Sequence, residues 1–148
     1  MVKTGIQGID EFVSEVKSGV RNVPKYVRLA VDRHIKDLKA SKKKGYPFYF
    51  NSDKAVDFFE YCFNHLRHYD GDLAGQPLLL RPWQLFCFGS LFGWLKKEDD
   101  TRRFRSLILI VPKKNGKSII GGAIALYVAE KDGEQGAQIY MLATDRTQ

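Results

Sequence analysis

Gly116-Lys117-Ser118 carries the residue types from which a phosphate-binding loop is made. The glycine lets the backbone curl so that its N–H groups converge on one point, and a following helix N-terminus adds partial positive charge there. In such a loop the Lys117 ammonium reaches the β- and γ-phosphates of a nucleotide, and the Ser118 hydroxyl ligates Mg²⁺. The general pattern is Gly, four residues, then Gly-Lys-Ser/Thr, and Val111 stands here at the first glycine. The tripeptide alone recurs by chance, so the weight falls on its flanks. Leu107-Ile-Leu-Ile-Val111 reads as a buried strand, and the pattern from about Lys117 to Lys131 reads as a helix. The competing reading is a strand–turn–helix with solvated lysines.

The elements that must hold this loop follow from periodicity. Residues 1–22 are weakly patterned, with Ile9, Phe12 and Val16 as anchors for a short helix. Pro24 suits a helix start, and Val27, Val31, Ile35 and Leu38 form an apolar stripe after it. The other face carries Lys25, Arg28, Arg33, Lys36 and Lys39; it reads equally as a nucleic-acid contact or as a solvated face. Tyr46-Pro-Phe-Tyr-Phe50 is an extended aromatic link. Ser52 is the expected N-cap of a helix through about His68, with Val56, Phe59, Phe63 and Leu66 facing inward. Cys62, His65 and His68 lie three apart, which spreads them around the helix rather than aligning them as metal ligands. A turn-rich loop at 69–77 precedes a helix from Pro82 to about Leu95 that is apolar nearly all round. Lys96 to Arg103 form a charged turn. The strand at 104–111, the loop and the helix follow; the small residues Gly121, Gly122 and Ala123 would let that helix lie close on a sheet. After a turn at 133–136, residues 138–143 read as a second buried strand. The expected fold is α/β: a parallel, right-handed βαβ core of P-loop NTPase type, incomplete, behind a helical N-terminal segment. Residues 1–80 form the lead-in and residues 81–148 begin the nucleotide-binding domain.

The chain has 148 residues, 44% of them hydrophobic, enough for one ordinary core. Its formal charge of +7 is uneven: +6 over residues 1–50, −3 over 51–100 and +4 over 101–148. That excess favours a polyanionic partner without identifying one. Cys62 and Cys87 sit in apolar helical patterns, as reduced core residues do. No signal-type leader and no run of ~18 apolar residues appears, so neither secretion nor membrane insertion is expected.

Binding a nucleotide is not hydrolysing it. Hydrolysis needs a carboxylate on a neighbouring strand to hold Mg²⁺ and a group to orient water. After Ser118 the carboxylates are Glu130, Asp132, Glu134 and Asp145, and none closes an aliphatic run as an Asp-Glu pair. With one strand after the loop, where such a sheet has about five, the chain reads as the front of a longer protein.

From about Val23 onward the sequence resembles the N-terminal ATPase portion of the large terminase subunit of tailed bacteriophages. Pro24 to Leu38 with Tyr49-Phe50 is similar to the helical lead-in. Ala74 to Phe86, with its Pro-Trp-Gln, is similar to the segment whose glutamine recognises adenine, here Gln84. Val111-Pro-Lys-Lys-Asn-Gly-Lys-Ser118 resembles the family's variant phosphate loop, in which the first glycine is commonly replaced. Ala143 to Gln148 resembles the stretch after the second strand.

The resemblance implies ATP and Mg²⁺ as cofactors. Gln84 and Pro112, Lys113, Lys114, Asn115, Gly116, Lys117 and Ser118 would bind the nucleotide, Lys113 and Lys117 would serve catalysis, and Ser118 would hold the metal. A second cation at Lys113 would stabilise charge developing on the γ-phosphate. A carboxamide at Gln84 can donate and accept at the adenine edge together, though a polar helix-start residue needs no adenine. Arg146 could approach a phosphate or DNA, or form a salt bridge.

The implied partners are double-stranded DNA, a portal protein, a small terminase subunit and further copies in a ring, with no membrane. The implied place is the host cytoplasm, at the procapsid portal rather than in the virion. The family's Asp-Glu pair, coupling motif and nuclease domain are missing from these residues, so weak nucleotide binding without efficient turnover or DNA cleavage is expected. Two other readings stay open: a helicase-like translocase, or a truncated, non-enzymatic remnant.

Overall fold

The computed structural model describes residues 2–133, 138–140 and 142, and they fall into two compact units. One is built from residues up to Glu60 together with Leu79–Leu107. The other is built from Tyr61–Leu78 and the described residues from Ile108 onward.

The first unit is helical, with a small sheet. Helix α1 (Gln7–Ser18) buries Ile9, Phe12, Val13 and Val16, spaced so that they share one face. It ends at Gly19, whose φ of 81° is the left-handed conformation that terminates helices. Helix α2 (Lys25–Ala40) starts after Pro24 and buries Val31 and Leu38, as the stripe requires, and also His34 and Asp37. Helix α4 (Pro82–Gly93) has a buried or half-buried residue at every position from Trp83 onward. It packs on α1 where two glycines remove bulk. A Cβ on Gly8 would lie 2.5 Å from Leu85, and one on Gly89 2.4 Å from Ile9.

Two expectations shift here. Trp94 and Leu95 do not extend α4. They open strand β2 (Trp94–Lys96), which pairs antiparallel with β1 (Phe48–Phe50) in the aromatic link, Tyr49 opposite Leu95. The charged turn after β2 doubles back on this pair: Arg103 N–H donates to the Trp94 carbonyl at 2.9 Å. Arg103 is no solvated cation. Its guanidinium lies 2.7 Å from Asp37 and stacks over Phe48 at 4.3 Å, while the Tyr46 hydroxyl donates to Asp37 at 2.6 Å.

Helix α3 (Ser52–His65) is capped by Asn51 rather than Ser52: the Asn51 carboxamide oxygen accepts the Lys54 N–H at 3.1 Å. Ser52 instead donates to the Thr4 carbonyl at 2.6 Å. The inward face of α3 is also rotated from the expected stripe. Ala55, Phe58, Tyr61 and Cys62 are buried, whereas Phe63 is 47% exposed. The reason lies in the aromatic partners, since Phe58 stacks on Phe92 at 4.6 Å and meets Phe88 edge-on.

In the second unit, helix α5 (Lys117–Glu130) forms where expected and buries Ile120, Ala123 and Tyr127. Tyr61 meets Tyr127 edge-on at 5.5 Å and donates its hydroxyl proton to Glu130 at 2.7 Å. The buried strand expected at 104–111 is absent. Those residues form no ladder, and Ile108 and Ile110 are 86% and 91% exposed. A parallel strand exists only through a hydrogen-bonded neighbour, and none pairs with this segment among the described residues. Gln138, Ile139, Tyr140 and Leu142 likewise take no strand conformation, while Met141 and residues 143–148, with Asp145 and Arg146, lie outside the described residues. Gly121 and Gly122 face open space rather than a sheet. The parallel βαβ core is therefore not formed among the described residues; the regular pairing in this part of the chain is a single Arg67–Pro77 bridge.

Candidate phosphate-binding site

Residues 111–118 make a tight turn into α5. Gly116 has φ 73° and precedes the first helical residue, Lys117. Lys114 has φ 63°, the same left-handed region, where a side chain costs about 1–2 kcal/mol. A turn holding a residue there against that cost is the sort of backbone that binding sites maintain.

No side chain caps the N-terminus of α5. Its first N–H groups lack intrahelical partners by geometry and carry the positive end of the helix dipole. The Lys117 ammonium folds back over the turn and donates to the carbonyls of Val111 at 3.2 Å and Pro112 at 3.1 Å. Asn115 Nδ2 donates to the carbonyls of Pro112 at 3.3 Å and Lys113 at 3.2 Å. Lys113, Lys114, Lys117 and Ser118 are exposed. Among the described residues no carboxylate pairs with the three lysines, and no hydrogen bond engages the Ser118 hydroxyl. Three cations without a carboxylate partner and a hydroxyl without a hydrogen bond among the described residues, beside an uncapped helix start, are suited chemically to a polyphosphate with a hard cation.

Gln84 lies in the other unit and is only 6% exposed. Its carboxamide oxygen accepts the Arg81 backbone N–H at 2.7 Å, and the Gln84 backbone N–H donates to the Arg81 carbonyl at 2.8 Å. This is one arm of a helix-capping box; the other needs an acceptor on the Arg81 side chain, which has none. Gln84 thus has a structural task at the start of α4, directly after Pro82 and Trp83. Sequence reasoning gave that role to it as the alternative to adenine recognition. What it did not anticipate is the pair of bonds from Asn115, although asparagine in a lysine-rich turn is a known signal for side-chain to backbone bonding.

Residues 82–148 match the family model of the terminase large subunit, ATPase domain. This stretch is similar to the ATPase domain of terminase large subunits. No curated protein and no solved structure matches the chain. The terminase ATPase family is one of enzymes that drive DNA packaging with ATP. The match begins at Pro82, the first residue of α4, and so takes in Gln84 and the whole lysine-rich turn. No helix among the described residues is long and apolar enough to cross a membrane.

Proposed function

We propose that this chain is the ATP-binding front of a terminase motor, with residues 81–148 as the start of a P-loop ATPase domain behind a helical lead-in at 1–80. Pro112, Lys113, Lys114, Asn115, Gly116, Lys117 and Ser118 form the phosphate cradle. Lys117 moves from the Val111 and Pro112 carbonyls onto the β- and γ-phosphates, Lys113 supplies a second cation, and the Ser118 hydroxyl is the protein's ligand to Mg²⁺. The adenine role of Gln84 rests on the family resemblance alone. In the complete motor, ATP turnover moves double-stranded DNA into a procapsid in the host cytoplasm. Its partners there are a portal protein, a small terminase subunit and further copies in a ring.

The observation that carries this reading is the Lys117 ammonium held by two backbone carbonyls at an uncapped helix start. A lysine parked on neutral acceptors is free to transfer to a stronger, charged one, whereas a salt-bridged lysine is not. Titration with a fluorescent ATP analogue tests it. Lys117→Ala is expected to remove binding, and Lys36→Ala on the exposed face of α2 to leave it unchanged. Equal losses from both would mean that nucleotide is attracted only by diffuse positive charge.

A further inference from the structure

The turn at 111–118 does without the first glycine of the general phosphate-loop pattern, so something else must keep its backbone in the cradle conformation. Val111 fills that position, and Pro112 after it has a fixed φ and no N–H to donate. What crosses the turn instead is the Asn115 side chain, whose Nδ2 donates to both the Pro112 and Lys113 carbonyls. The strained φ of Lys114 lies between these residues.

We propose that Asn115 is the positioning residue of this loop: its carboxamide holds the Pro112 and Lys113 carbonyls, so that Lys117 leaves the Val111 and Pro112 carbonyls for a polyphosphate without the turn opening. The inference rests on the nucleotide reading above and adds to it how the loop keeps its shape.

The hydrogen-bond arrangement carries the argument. The Pro112 oxygen accepts from both Lys117 Nζ and Asn115 Nδ2, which its two lone pairs permit. The Val111 oxygen accepts from Lys117 alone of these two. When the ammonium transfers to phosphate, both carbonyls lose that donor while a polyanion arrives nearby. An undirected carbonyl dipole there would repel the ligand. With Asn115 in place, Pro112 keeps one donor, Lys113 keeps its donor, and the turn between them stays closed. A neutral donor is required for this. A carboxylate would offer no N–H to either carbonyl and would add negative charge beside the phosphates. Asn115 acts on the ligand through the backbone and through Lys117, and does not itself contact the reacting atoms.

The test compares Asn115→Ala, Asn115→Asp and Asn115→Gln in the whole chain, with Lys117→Ala beside them, by titration with mant-ATP. Asn115→Ala is expected to weaken binding about tenfold, the scale of one or two hydrogen bonds, and Asn115→Asp by about a hundredfold. Asn115→Gln keeps the donor on a longer arm and is expected to recover most of the affinity lost in Asn115→Ala. The melting temperature of each ligand-free variant should stay within roughly 1–2 °C of the parent, because the turn is exposed and buries no core. In ¹⁵N spectra the Asn115 side-chain amide protons should remain protected from exchange after saturation with mant-ATP. Affinity unchanged in Asn115→Ala while Lys117→Ala loses binding would overturn the inference and leave the nucleotide reading standing. Full binding by Lys117→Ala would remove the nucleotide reading itself. Asn115→Gln no better than Asn115→Ala, amide protons that lose protection on saturation, or a melting temperature that falls with the affinity would each refute the positioning role.

Discussion

His34 is a residue whose protonation burial changes within the ordinary pH range. It is 3% exposed, and Trp94 Nε1–H donates to its Nδ1 at 3.1 Å, which places the ring proton on Nε2 in a neutral imidazole. That Nε2 has no hydrogen-bond partner among the described residues. Burial pushes the pKa down to about 4; Asp10 and Asp37 oppose the shift and Arg33 adds to it. The folded pKa lies below the unfolded value of 6.5, so below 6.5 the unfolded chain binds a proton that the folded chain refuses. Stability present above pH 6.5 is therefore lost as pH falls towards 4, by about 3 kcal/mol in total. Thermal melts between pH 7 and 5, above the main carboxylate range, should show the decline. His34→Gln, which keeps an acceptor for Trp94 and cannot titrate, should flatten it; an unchanged slope would assign the decline to another group. His34 is one of several apolar-face positions in α2, and nothing in the sequence separates it from a solvated histidine until Trp94 and Phe50 are found against it.

At the scale of elements, the junction between α4 and β2 shows what periodicity misses. Residues 82–95 are apolar nearly all round, so the pattern extends the helix to Leu95, yet the helix stops at Gly93. The stop is steric and polar together. A Cβ on Gly93 would lie 2.7 Å from the Phe50 ring and 3.1 Å from the Asn51 carbonyl, and the Gly93 carbonyl accepts the Asn51 N–H at 2.7 Å. The glycine lets β1 reach the end of α4 and pair with β2. Gly93→Ala is expected to destabilise by about 1–3 kcal/mol, the range for forcing bulk into a packed core, read as a lower urea midpoint with an unchanged slope. A midpoint equal to the parent's would show that Phe50 moves aside freely. The strand expected before the phosphate loop fails for the opposite reason. Its aliphatics are suited to a sheet interior, but a strand is a property of a pair, and its neighbour cannot be read from its own residues.

For the molecule as a whole, the decisive quantity is the set of carboxylates available to a bound nucleotide. The sequence places Glu130, Asp132, Glu134 and Asp145 after the loop and no Asp-Glu pair at the end of an aliphatic run. Glu130 is engaged by the Tyr61 hydroxyl at the far end of α5 from Lys117. On the proposed reading, a phosphate cradle with no carboxylate positioned beside it among the described residues would bind ATP without activating water. Phosphate-release assays should thus find no turnover above background for the 148-residue chain under conditions where the ATP analogue binds. Sustained turnover that Lys117→Ala abolishes would show that another group in these residues performs the work assigned to the missing pair.

The sequence by itself determined the turn at Gly116, the helix that follows it and most of the helices ahead of it. Those depend on local rules: glycine and lysine at fixed offsets, apolar residues at intervals of three and four, proline at a helix start. Tertiary structure decided the inward face of α3, the turning of Arg103 from solvent onto Asp37 and the rings of Phe48, Trp94 and Phe104, and the lack of a paired strand before the loop among the described residues. Each of these depends on a partner distant in sequence, and burial of a charge or a strand edge is favourable only once that partner is in place. Inside the loop the same division holds. Lys117 could be named from its neighbours, but the two carbonyls it rests on, and the asparagine that shares one of them, appeared only when the turn was folded.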